Sequence, residues 1–180
     1  GLVGLWHFNN ETGENDTLVI DWSVDVNGQR SSSLHNNGTP AGGASANKTS
    51  YKFGPGSYEF DGSNDYVNMS LLIPTSDSEF AFSLFLKTSA TGGGVISSRD
   101  DGGSWRWRGL VNSNKFIFSF FDDNLGEILI NGTDNINDNA WHHFAVDASA
   151  SKGRMVLYVD GVNNSFTAFD GNSQFGNLNI

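Results

Sequence analysis

Apolar residues recur along this chain with a period of two, in short runs broken by turn residues. The clearest run is Lys115–Phe121, where Phe116, Phe118 and Phe120 share one face and Ile117, Ser119 and Phe121 the other. A face made of three phenylalanines belongs in a core. Trp141–Val146 splits in the same way, with Trp141, His143 and Ala145 opposite His142, Phe144 and Val146. Adjacent histidines on opposite faces make poor partners for catalysis, so each is expected to be structural, its polar tip bonded to backbone. Further strands are read at Leu2–Phe8, Leu18–Trp22, Tyr51–Asp61, Tyr66–Met69, Phe80–Thr88, Val95–Ser98, Trp105–Val111, Glu127–Ile130, Arg154–Val159, Ser165–Phe169 and Leu178–Ile180. Gly92–Gly94 reads as a flexible turn, and the polar segment Ser23–Ser50, with little periodicity, as an ordered excursion or a functional loop. Helix is nearly absent. The pattern is that of an all-β fold, an antiparallel two-sheet β-sandwich.

Composition narrows the class. A chain of 180 residues is expected to be one domain, 1–180, with a sizeable core. No stretch of about 18 apolar residues occurs, so no membrane span is expected. Twenty Asp and Glu against ten Lys and Arg give a net charge of −10, which repels phosphate backbones and argues against nucleic acid as a partner. Cysteine is absent, so neither disulfides nor thiol chemistry is available. Asn-x-Ser/Thr sequons stand at Asn10, Asn15, Asn37, Asn47, Asn68, Asn131 and Asn163, all near turns or strand ends. They mark these asparagines as glycosylation candidates or as Asn-rich turns. No basic, apolar leader is seen, and the chain reads as a processed product or a domain of something longer.

Five segments, in order, carry a family resemblance: Gly4-Leu5-Trp6-His7-Phe8-Asn9, Phe60-Asp61-Gly62-Ser63-Asn64-Asp65-Tyr66-Val67, Phe80–Lys87, Val95–Arg99, and Trp141-His142-His143-Phe144-Ala145-Val146 leading to Leu157-Tyr158-Val159-Asp160-Gly161. Together they resemble the laminin G-like, concanavalin A-like lectin/glucanase superfamily across nearly the whole chain. The resemblance implies a jelly roll that binds sugars or proteins at cell surfaces and in some members cleaves polysaccharides. It also implies a further strand after Gly176–Ile180. Its absence is expected to reflect either truncation or a strand supplied by a neighbouring chain.

The chemistry is less legible. Glucanases of this kind carry Glu-x-Asp-x-x-Glu on one strand; the nearest run, Glu59-Phe60-Asp61-Gly62-Ser63-Asn64, lacks the second Glu, which disfavours hydrolysis. Calcium is the plausible cofactor, with oxygen ligands at Asp21, Ser23, Asp25 and Asn27, or at Asp61, Asn64 and Asp65. Both clusters also suit side-chain caps of turns. For a sugar, Arg99–Arg108 is the best stretch: Trp105 and Trp107 alternate with Arg106 and Arg108, and Arg99 makes three of the chain's five arginines there. Strict alternation places the two indoles on one face and the guanidiniums on the other. Trp22 is a second candidate plate. The expected function is a non-catalytic extracellular recognition module that binds a glycan or another cell-surface ligand. The alternative is a structural subunit of a surface layer, filament or virion that self-assembles by protein contacts and strand sharing.

Overall fold

The computed structural model describes residues 8, 13–21, 37–69, 79–99, 105–122 and 125–169. By its internal packing the chain divides into two compact units, residues 1–73 and 74–180. Twelve antiparallel strands and no helix are found among the described residues.

The first unit contains β1 (Gly38–Ala41), β2 (Ser45–Asn47), β3 (Ser57–Glu59) and β4 (Tyr66–Met69). β1 pairs with β4 and β2 with β3. Both β1 and β2 fall inside the Ser23–Ser50 segment, expected to be an ordered excursion or a functional loop with no strand assigned, and β3 is shorter than the expected Tyr51–Asp61 strand. These strands of three or four residues carry too little alternation to register, and pairing fixes them. Segment 13–21 joins β1 through reciprocal backbone bonds between Val19 and Gly38, at 2.9 and 2.7 Å. Tyr58 on β3 donates its hydroxyl to the carbonyl of Asn15. Burial, then the nearby charges of Glu14 and Asp16, push that phenol up to about 12. Gly42, at φ +78°, turns the chain against Asn64, where a Cβ would stand 2.1 Å from the carbonyl oxygen.

The second unit is a β-sandwich of the jelly-roll type. One sheet orders β12 (Val162–Ala168), β11 (Arg154–Val159), β10 (Trp141–Ser149) and β5 (Glu79–Lys87). The other orders β6 (Gly92–Arg99), β7 (Trp105–Asn112), β8 (Lys115–Asp122) and β9 (Gly126–Asn131). Gly92–Gly94, expected as a turn, opens β6 because its backbone pairs with Leu110–Asn112 of β7. Phe116, Phe118 and Phe120 are buried as the alternation requires. Phe116 stacks on Phe144 of the facing sheet at 4.5 Å, and Phe118 packs on Phe82 at 5.1 Å. Gly109 leaves room for the Phe116 ring, since a Cβ there would approach it to 2.8 Å. The strands expected at Leu2–Phe8 and Leu178–Ile180 lie outside the described residues, apart from Phe8. The strand expected to be truncated or donated would follow that second segment.

Candidate functional site

The sheet β6–β9 turns one face to the core and the other to solvent, and the outward face gathers the candidate site. On β7, Trp107 is buried, 7% exposed, and stacks on Phe82 with ring centroids 6.2 Å apart. It is core, and its faces are closed to any ligand. Trp105, two residues earlier, sits elsewhere. Ser98 pairs with Trp107 and Arg99 with Trp105, so β7 holds one extra residue, Arg106, in a β-bulge. The bulge slips the alternation by one. Trp105 therefore meets the outward-facing Phe121 edge to face at 6.2 Å, and the guanidinium carbon of Arg108 lies 4.0 Å above its ring centre. The expectation that Trp105 and Trp107 share a face is corrected: the bulge puts one indole in the core and the other beside Arg108.

Arg108 also donates to Glu127 Oε1 of β9 at 3.2 Å. The linear sequence does not connect Glu127 with Arg108, because the two meet across the intervening strand β8. The register sets Ser119 opposite Arg108 on one side and Leu129 on the other. Ser119 is fully buried, and neither its Oγ nor Arg108 Nε has a hydrogen-bond partner among the described residues. The cation–π contact contributes about 0.5–1 kcal/mol at a partly exposed site. The half-exposed, screened ion pair adds roughly 0.2–1 kcal/mol. Arg108 is thus held over the indole by two weak contacts.

Arg106 is half-buried at the bulge, the side chain of Arg99 lies outside the described residues, and so does Trp22. The cation candidates fare as follows. Asp21 is fully buried, its backbone N–H donating to Asn37 Oδ1, while Ser23, Asp25 and Asn27 lie outside the described residues. Asp61 Oδ1 accepts the N–H of Ser63 and Asp65 Oδ2 that of Asp61, both at 2.8 Å, so these carboxylates cap their own turn. Asn64 lies exposed between them. No group of three or more His, Asp or Glu among the described residues is arranged to hold a metal. Glu59, the nearest match to a catalytic carboxylate, accepts a bond from Asn47 Nδ2 at 2.9 Å.

His142, in the other sheet, is bonded through both ring nitrogens, to Asp160 Oδ2 at 2.8 Å and Asp138 Oδ1 at 3.0 Å. Two ionised carboxylates at the two nitrogens call for an imidazolium. Burial pulls the imidazole pKa down, but the bonds and charges of Asp160 and Asp138 outweigh it and raise the pKa above its ordinary 6.5. The N–H of His143, followed by His142, holds Asp160 below its usual range. The N–H of Ala140, then His142, does the same for Asp138. Its partners are carboxylates where backbone was expected. His143 points outward and packs on Phe85 at 4.6 Å.

Among the sequons, Asn15, Asn37, Asn68, Asn131 and Asn163 are exposed, Asn47 is half-buried, and Asn10 lies outside the described residues. No helix among the described residues is long and apolar enough to cross a membrane.

Residues 61–179 match the model of a family described as the concanavalin A-like lectin/glucanases superfamily. Among solved structures, the chain is similar to the binding domain of botulinum neurotoxin serotype C1, with 14% identity, a TM-score of 0.60, and coverage of 96% of this chain and 41% of that one. It is similar to the binding domain of botulinum neurotoxin DC, solved in complex with SialylT, at 14% identity and a TM-score of 0.58, covering 96% of this chain and 42% of that one. Mouse laminin α1 domains LG4-5 match at 16% identity and a TM-score of 0.47, over 54% of this chain and 25% of theirs. The chain thus spans less than half the length of these three structures. The search of curated proteins finds no match.

Proposed function

Because this chain belongs to the concanavalin A-like lectin/glucanases superfamily, we propose that it is a non-catalytic, extracellular recognition module that binds carbohydrate on the outward face of the β6–β9 sheet. The observation that carries this reading is the gathering of Trp105, Phe121, Arg108 and Glu127 on one solvent-facing surface. Saccharide recognition needs those parts: an aromatic surface for the apolar face of a pyranose and planar charged groups for its hydroxyls. Phe121 is 38% exposed and adds to the aromatic surface. The engagement of Glu59 by Asn47 favours a structural role for that carboxylate over a catalytic one.

The test is a glycan-array screen of the purified chain in calcium and again in EDTA, beside Trp105→Ala. Selective binding that Trp105→Ala abolishes supports the reading, and its response to EDTA reports on a calcium requirement. A blank array from folded protein refutes it.

One observation favours the second reading, a self-assembling structural subunit. Among the described residues β6 pairs only with β7, and its exposed Gly92–Gly94 stretch has no side chains to deter an added strand. Concentration-dependent polymers, measured by light scattering, would move the function there.

A further inference from the structure

Resting on the carbohydrate reading, we infer that Arg108 is a displaceable cap on Trp105, that Glu127 stands in for the ligand, and that the ligand which opens the cap is an acidic saccharide. The guanidinium, 4.0 Å above the ring centre, occupies the place where a sugar ring would stack on that face of the indole. Stacking there requires Arg108 to move off. Glu127 tethers it at 3.2 Å, and Glu127 Oε1 shows which chemistry satisfies this guanidinium: a carboxylate or a comparable anionic oxygen.

Two features make the cap releasable. The side chain of Arg108 is 37% exposed, so it has solvent to swing into. Among the described residues neither Arg108 Nε nor Oγ of its cross-strand partner Ser119 has a hydrogen-bond partner, so a pose with the side chain lifted into solvent gives up no bond at either atom. A ligand with a flat apolar ring face and a carboxylate or sulfate replaces both contacts of the capped state, giving the indole a ring and the guanidinium an anion. A neutral saccharide replaces only one and leaves the guanidinium to compete for the plate. Arg108 is then the specificity-determining residue of the surface.

Acrylamide quenching of tryptophan fluorescence reads the cap without any ligand, with Trp105→Phe defining the share of Trp105. Arg108→Ala and Glu127→Gln are each expected to raise the quenching of that share about twofold. On an array pairing neutral glycans with their carboxylated and sulfated counterparts, the wild type should prefer the acidic members. Arg108→Ala should lose that preference at least fivefold while gaining signal on the neutral ones. The carboxylated and sulfated arms tell the two anion sources apart. Unchanged quenching in both variants overturns the cap, and an intact acidic preference in Arg108→Ala overturns the role of Arg108 in specificity. A blank array for every protein, whatever the quenching, sinks the carbohydrate reading and the ligand class together.

Discussion

Trp105 and Trp107 are separated by one residue and sit in opposite environments. Trp107 stacks on Phe82 inside the sandwich, whereas Trp105 lies under Arg108 and beside Phe121 on the outward face. A single extra residue, Arg106, makes the difference. The core is defined by which residues pair across the sheets, and the outward surface by where the pairing slips. One strand can therefore be rigid on one face and adjustable on the other.

The largest expected effect separates the two faces outright. Trp107→Ala or Phe118→Ala should lower unfolding free energy by about 3–5 kcal/mol, the range for emptying a core of a large aromatic. Trp105→Ala should lower it by roughly 1 kcal/mol or less, because its site is part solvent already. Denaturant titration of the three variants measures this, and equal losses would erase the distinction. Deleting Arg106 probes the slip itself. Trp105 then directly precedes Trp107, and strict alternation alone keeps the two indoles on opposite faces, so acrylamide quenching of Trp105 fluorescence should stay near the wild-type value while the Trp107–Phe82 packing persists; a marked fall in quenching would contradict the bulge.

A milder version of the same contrast lies at His142 and His143. The folded pKa of His142 is raised, so its stabilising contribution is full below about 6.5 and is lost as pH rises through the folded value. Asp138 and Asp160 are depressed, so their contribution holds above about 3.8 and is lost as pH falls through their folded values. The melting temperature of the wild type should therefore exceed that of His142→Gln most between those limits, by a few degrees, with the gap closing at alkaline pH. A pH-independent gap for His142→Gln would mean the imidazole is held by packing rather than by its two carboxylates.

Much of the fold was legible because period two is a strong signal where large side chains carry it. The burial of Phe116, Phe118 and Phe120 and the opposite faces of His142 and His143 follow from it, while the bounds of β4 and β11 agree with strands read from short runs of aromatic and β-branched residues. The site was less so. In Trp-Arg-Trp-Arg either phase places aromatics together, and nothing in the residue types marks the slip at Arg106. Glu127 joins Arg108 through strand order, which a linear pattern does not contain. β1 and β2 were missed because Gly, Pro, Ser and Asn spell turn when read alone, and they become strands only against β4 and β3. Neither partner of His142 was legible: backbone was expected, whereas Asp160 reaches it from the end of β11 and Asp138 from four residues before it.

The bonding of Asn47 has a consequence for timing. Its Oδ1 accepts the N–H groups of Thr49 and Ser50 and the Thr49 hydroxyl, while its Nδ2 serves Glu59. A glycosyltransferase needs that same amide nitrogen and hydroxyl, so this sequon is chemically open only until the β2–β3 hairpin closes. Exposed Asn68, Asn131 and Asn163 carry no such deadline. In a host that glycosylates, sugar occupancy at Asn47 relative to those three, measured by mass spectrometry, becomes a clock for how soon the hairpin forms after the chain emerges.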